Sequence, residues 1–433
     1  MGDGAIVADE DERPPRFSDV LRVRAFAVLF GAEIQSVIGS QLARVALSVL
    51  VYQRTGSATD TALTYAITFL PAILGGFVLA GIGDKLPRRA VMIGCDLARA
   101  GLFAAMALPG LPTWVLLVLL AVAVFIGPAF SAAEVGYLAG ALTTEYFRAG
   151  TGLRMIMNQA AQVVGFALGG VLTALLAPRG ALLLNAATFL LSAVVVLGAL
   201  RGSEPPYPKE SPESPESRPE RAVVRLWRDR RLRVLLGLSS LAGLFVVPEG
   251  LAAPFASHTG ASTTELGFLL ASIPLGSAIG VVVLVRWVPK RRRAAAAGWM
   301  AVGCGLPLVV PAILASWPLA LVCWLASGVL AAYQVELMTS IVQLIPPGLR
   351  SRGVGFASSI LLGAQGVGLI VFGEVAHLTT SAHAIGIAGI SGSALALLLV
   401  MGSRRVRSRP RPAHRALTKR SHRPAPVAQL SGR

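Results

Sequence analysis

The sequence predicts an all-α membrane protein with twelve transmembrane helices in two pseudo-symmetric six-helix bundles. Three observations predict it. The 433 residues are 54% hydrophobic and only 14% charged, with a mean hydropathy of +0.68, well beyond an ordinary soluble domain. Apolar runs of roughly 20 residues, the length that crosses about 30 Å of hydrocarbon, recur along the whole chain. Landmark residues also return at a nearly constant spacing, so one unit is present twice.

The twelve runs lie at about 23–51, 59–81, 90–109, 113–137, 152–176, 180–200, 232–256, 266–288, 294–315, 318–342, 353–376 and 383–402. An acidic stretch, Asp9-Glu-Asp-Glu12, precedes the first, so no cleavable signal peptide is expected there. Residues 202–231 interrupt the pattern. Glu204-Pro-Pro206 and Ser211-Pro-Glu-Ser-Pro-Glu-Ser217 cannot build a packed core, and they read as a disordered linker. The expected organisation is therefore a segment 1–22, a bundle 23–201, the linker 202–231, a second bundle 232–402 and a tail 403–433.

The duplication shows in three pairs. Arg89-Ala90 and Arg293-Ala294 each open a third helix, 204 residues apart. Arg148 and Arg352, also 204 apart, each lead into a fifth helix, and Gln162 and Gln365 follow at 203. A common offset implies two units of the same topology.

A net charge of +17 would suggest nucleic acid as the partner of a soluble protein. Its distribution excludes that here. With both termini in the cytoplasm, Arg54 and Arg179 are the basic residues of the outer loops and Arg44 lies inside the first span, while the remaining Lys and Arg fall at cytoplasmic ends or in cytoplasmic segments. This positive-inside asymmetry predicts a multi-pass protein of the plasma membrane. The tail from Arg404 carries ten basic residues and no acid, which suits anionic lipid. Cys95, Cys304 and Cys323 fall in apolar spans and read as small hydrophobes. No metal-ligand spacing or nucleotide-binding loop is present, so no metal or cofactor is expected.

The tight hairpin Ala80-Gly-Ile-Gly-Asp-Lys-Leu-Pro-Arg-Arg-Ala90 joins spans 2 and 3 and must lie at a membrane face, because hydrocarbon cannot solvate its ions. Its acidic residue followed by a basic cluster resembles the loop signature of the major facilitator superfamily of transporters. That resemblance implies a cytoplasmic gate made by Asp84, Lys85, Arg88 and Arg89, with Pro87 stiffening the turn. Downstream, Asp96-Leu-Ala-Arg99 resembles the macrolide-efflux and enterobactin-exporter branch, and its spacing of three places Asp96 and Arg99 on one helix face as a charge pair. Gln162-Val-Val-Gly-Phe-Ala-Leu-Gly-Gly170 resembles the glycine-rich signature of exporters. Gly165, Gly169 and Gly170 give its helix a face that another helix can approach closely.

Ionisable residues inside spans are costly and mark function. Glu33 and Arg44 fall in span 1, Glu249 in span 7 and Glu336 in span 10. In the superfamily, helices 1, 4, 7 and 10 line the central cavity. The expected proton-coupling acids are thus Glu33, Glu336, Glu249 and Asp96, with Arg44, Tyr333 and Gln334 as polar cavity contacts, and Glu134 and Glu374 at the membrane interface. Pro248 frees a carbonyl one turn before it and should bend span 7. The resemblance implies a monomeric, proton-coupled exporter of small amphipathic compounds such as drugs or siderophores, working by alternating access. Its alternative is a symporter that imports a small nutrient. No nucleophile–base pair points to an enzyme.

Overall fold

The computed structural model describes residues 16–79, 86–200, 229–345 and 350–407, with the side chains of 350–352 and 403–407 excepted. Asp84 and Lys85, most of the 202–231 linker and the tail from residue 408 lie outside the described residues. A short surface helix, Phe17–Arg22, leads into the first long one.

Among the described residues, ten helical stretches have the length and apolarity to cross a membrane. One of them, Thr144–Ala199, reverses direction at Ala177, whose φ of 57° is a strained value for a residue with a Cβ. Pro178 then opens the returning limb, where its missing N–H costs nothing. Arg88–Met106 completes twelve passes; four charged residues dilute its hydropathy. The passes are α1 Arg24–Thr55, α2 Ala58–Leu79, α3 Arg88–Met106, α4 Thr113–Ala141, α5 144–176, α6 178–199, α7 Arg230–Gly250 continuing through Ala252–His258, α8 Thr263–Trp287, α9 Lys290–Ile313, α10 Trp317–Leu344, α11 Arg350–Leu378 and α12 Ser381–Arg407.

The two halves repeat local devices as well as helix order. Gly56 (φ 61°) ends α1 and Gly260 (φ 71°) ends α7, both in the left-handed region that glycine enters without penalty. Each is followed by a serine cap: Ser57 accepts from the Asp60 N–H, and Ser262 forms a capping box with Glu265. Arg89 and Arg293, the predicted repeat pair, both donate to backbone carbonyls near the same face, Arg89 to Leu197 and Arg293 to Val285 and Val288.

The halves meet near the face opposite the termini. One apolar core there draws Val45, Tyr65, Phe69 and Phe166 of the first half together with Phe245, Phe255, Leu269 and Trp324 of the second. Near the terminal face each half keeps its own cluster, around Phe26, Met92 and Leu153 in one and around Leu236, Ile341 and Ala357 in the other. Among the described residues, the buried packing between the halves thus lies toward the face away from the termini, and each half's own cluster lies toward them.

Glycines set how closely the helices pack on the face away from the termini. A Cβ built on Gly165 or Gly169 would strike α1 at Ile38 and Leu42, and one on Gly170 would lie 2.7 Å from the Gly267 Cα and 2.8 Å from the Thr263 carbonyl of α8. Gly170 therefore sits at the crossing between the halves, where a side chain would meet backbone that cannot yield. Gly170→Leu is expected to destabilise the protein by about 1–3 kcal/mol through overpacking. Gly152→Leu on the same helix, where nothing lies within 4 Å, serves as the neutral control. Thermal unfolding in detergent compares the two; equal melting would show that the crossing tolerates a side chain.

Candidate functional site

A cavity of about 540 Å³ opens among the helices of the first half. All of its walls come from α1–α5. Of the acids expected on helices 1, 7 and 10, Glu33 lines this cavity, and Glu249 and Glu336 do not.

The site is built around Arg154 on α5. Its Nε donates to Glu33 Oε2 on α1 at 2.6 Å, and its Nη2 donates to Glu134 Oε2 on α4 at 2.8 Å. One guanidinium thus binds two carboxylates from different helices, leaving the trio one negative charge in excess. Glu134 is 2% exposed, and its Oε1 has no hydrogen-bond partner. The expectation that Glu134 is interfacial is wrong. α4 continues to Ala141 and α5 begins at Thr144, so the hairpin carries both residues well inside the helices. Sequence reasoning missed Arg154 because it was placed at the very start of the fifth span. The signal was there in its rough mirror relation to Glu134 across the tight turn at 142–143.

Asp96 and Arg99 share α3 but take other partners. Asp96 is 1% exposed and accepts from Ser192 Oγ on α6 at 2.6 Å, while the Arg99 guanidinium lies over the Phe189 ring, 4.2 Å from its centre. No ion pair between them is present within 4.0 Å, and the two charges of the predicted pair act on each other through space while each touches α6. Spacing put both on one face; the neighbouring helix α6 decided what each one touches.

Arg44 lines the deeper part of the cavity, its guanidinium 5.6 Å from the centres of both the Tyr65 and Phe69 rings. Tyr65 in turn donates its hydroxyl to Glu249 Oε2 at 2.9 Å, bridging α2 of one half to α7 of the other. Thr59 of α2 adds a second bridge by donating to the Gly373 carbonyl on α11 at 3.1 Å, with Glu374 Oε2 at 3.4 Å. Glu374, exposed and four residues before the end of α11, thus also sits at the seam between the halves.

The remaining predicted contacts serve packing. α7 is interrupted at Leu241, Val246 and Leu251, a more extensive break than Pro248 alone would make. Tyr333 and Gln334 on α10 donate to the Leu238 and Ser239 carbonyls near the first interruption, satisfying backbone groups that a regular helix would satisfy itself. Glu336 is half-buried, and no hydrogen bond or ion pair reaches it among the described residues. At the terminal face, the Arg88 side chain lies against Gly136 of α4. Among the described residues there is no cluster of metal-ligating side chains.

A family model for the Major Facilitator Superfamily matches residues 29–249, half of the chain. The chain belongs to the major facilitator superfamily. The protein is therefore a multi-pass membrane transporter of small molecules rather than an enzyme. It is 29% identical over 376 residues to the multidrug efflux pump Tap of Mycobacterium tuberculosis, covering 81% of this chain and 86% of that one. With the enterobactin exporter EntS of Salmonella typhi it shares 25% identity over 403 residues, 89% of this chain and 94% of the relative. Among solved structures it resembles a bacterial homologue of the human lysosomal transporter Spinster in an inward-facing and occupied conformation, with a TM-score of 0.66 at 16% identity over 90% of this chain and 99% of the other. At that identity the likeness carries the superfamily fold alone.

Proposed function

We propose that this transporter is a proton-coupled exporter of small amphipathic compounds, working by alternating access from the cytoplasmic face. The observation that carries the reading is the mixed cavity: about 540 Å³ of partly apolar space in which two acids, Glu33 and Glu134, share one arginine. Cavities of this size suit drug-sized ligands. The trio's spare negative charge is a place where a proton can bind and leave. The efflux relatives Tap and EntS favour outward movement. The positive-inside asymmetry supports both termini in the cytoplasm, and on that reading the face where each half keeps its own core is the cytoplasmic one.

The experiment reconstitutes the purified protein in liposomes and imposes a pH gradient, using fluorescent amphipaths of positive, zero and negative charge. For molecules with the cytoplasmic face outward, an acidic lumen should drive accumulation of a substrate inside, equivalent to export in the cell. Accumulation down the proton gradient instead would establish the import alternative. Glu33→Gln should abolish the response to the gradient while expression stays intact. Unaltered pumping by that variant would remove Glu33 from the mechanism.

A further inference from the structure

We propose that the deep end of the cavity is a seat for an organic anion, with the carboxylate, sulfonate or phosphate head of an amphipathic substrate bound by Arg44 and Arg99. This deepens the transporter reading above and rests on it.

Both arginines line the cavity. They lie at a similar depth, since Phe189, over which Arg99 sits, packs in one cluster with Ala43 and Leu47, either side of Arg44 on α1. Neither forms an ion pair among the described residues, because the two acids of the cavity are both bound to Arg154. Each guanidinium is held by aromatic rings instead, at 5.6 Å from Tyr65 and Phe69 for Arg44 and at 4.2 Å from Phe189 for Arg99. A ring against the guanidinium restrains its plane. The Arg99 Nε is buried and has no hydrogen-bond partner. A buried cationic donor left unmade is costly, and a ligand oxygen would recover that cost.

Each of the two arginines has one acid near it, and neither acid reaches the cavity. Asp96, one turn before Arg99, turns one oxygen to Ser192, and Glu249 accepts from Tyr65. Both acids lower the local field, yet neither lines the cavity. Glu33 and Glu134 do line it, and Arg154 offsets one of their two charges. Phe103, Leu120 and Phe130 supply apolar wall for the body of an amphiphile. Arginine is the side chain whose fork of donors matches carboxylate or phosphate oxygens in pairs.

The test uses the full chain, purified in detergent, and three fluorescent probes with one hydrocarbon body: 11-(dansylamino)undecanoate, its primary amide and the corresponding ammonium compound. Saturable binding is read by anisotropy, with unlabelled competitor to subtract partition into micelles. The carboxylate should bind about tenfold more tightly than the amide, the scale of one charge-assisted hydrogen bond. Arg44→Gln and Arg99→Gln should each remove most of that preference, and Arg44→Lys and Arg99→Lys should keep part of it. Equal affinities for the three probes, preference for the ammonium, no saturable binding of the carboxylate, or an equal loss for all three probes in the Gln variants would overturn the proposal. If a Gln variant fails to fold, the headgroup preference of the wild-type chain and the Lys variants still decides. Binding does not depend on direction or on protons, so headgroup preference with reversed transport would sink only the exporter reading, and efflux without headgroup preference would sink only this one.

Discussion

Arg154→Gln is expected to cost the protein about 3–5 kcal/mol of stability, the range for removing one partner of a buried ionic group. Arg154 holds Glu33 at 2.6 Å and Glu134 at 2.8 Å, and the Glu134 side chain is only 3% exposed. Without the guanidinium, two acids from different helices face each other across a partly dry cavity, and Glu134 has no other side chain donating to it. The melting temperature in detergent should fall markedly, and transport should be lost. Glu134→Gln in the same chain should return most of the stability, because an amide needs no counter-charge. A double-mutant cycle over the two positions measures their coupling directly. If Arg154→Gln melts like the parent, the trio contributes nothing to holding α1, α4 and α5 together.

Locking the seam between the halves should stop turnover altogether. Thr59 on α2 and Glu374 on α11 approach to 3.4 Å at the face away from the termini, beside the Tyr65–Glu249 bridge. In a chain whose buried cysteines Cys95, Cys304 and Cys323 are replaced by alanine, Thr59→Cys with Glu374→Cys should form a disulfide on mild oxidation. Alternating access requires that this face open once per cycle. Transport by the oxidised protein should therefore fall to the background of protein-free liposomes, and reduction should restore it. Continued turnover with the crosslink complete would mean that the halves do not part at this seam.

Much of the plan was legible in the sequence for a simple reason. A bilayer leaves little choice to a run of 20 apolar residues, since each backbone group must be satisfied within the helix. The duplication was equally legible: Gly56 and Gly260 perform the same backbone task in each half, and Arg89 and Arg293 each open a third helix and donate to carbonyls, of α6 in one half and at the end of α8 in the other. Hydropathy was least clear at two places, both informative. α5 begins at Thr144, well before the expected 152, because its first turns carry Glu145 and Arg148 and so look like loop. α3 is apolar enough to cross only if Asp96 and Arg99 find partners, which Ser192 and Phe189 supply.

The site was legible as residue types and illegible as partnerships. Glu33 stood out as an intramembrane acid, but the sequence held no sign that Arg154 reaches it from 121 residues away. Glu249, Glu336 and Asp96 looked equivalent to Glu33 by the same cost argument. The structure separates them: Glu249 bridges the halves through Tyr65, Asp96 is bonded to Ser192, and Glu336 stands outside the described cavity.

The sequence by itself determined the number of crossings, the duplicated plan and the sidedness of charge, because these follow from solvation of each segment taken alone. Only the tertiary structure decided which charges neutralise one another, that the cavity lies within the first half, and on which face the halves join. Those depend on the crossing points of helices far apart in the chain, and a crossing such as Gly170 against Gly267 is set by packing between two surfaces that no local pattern encodes.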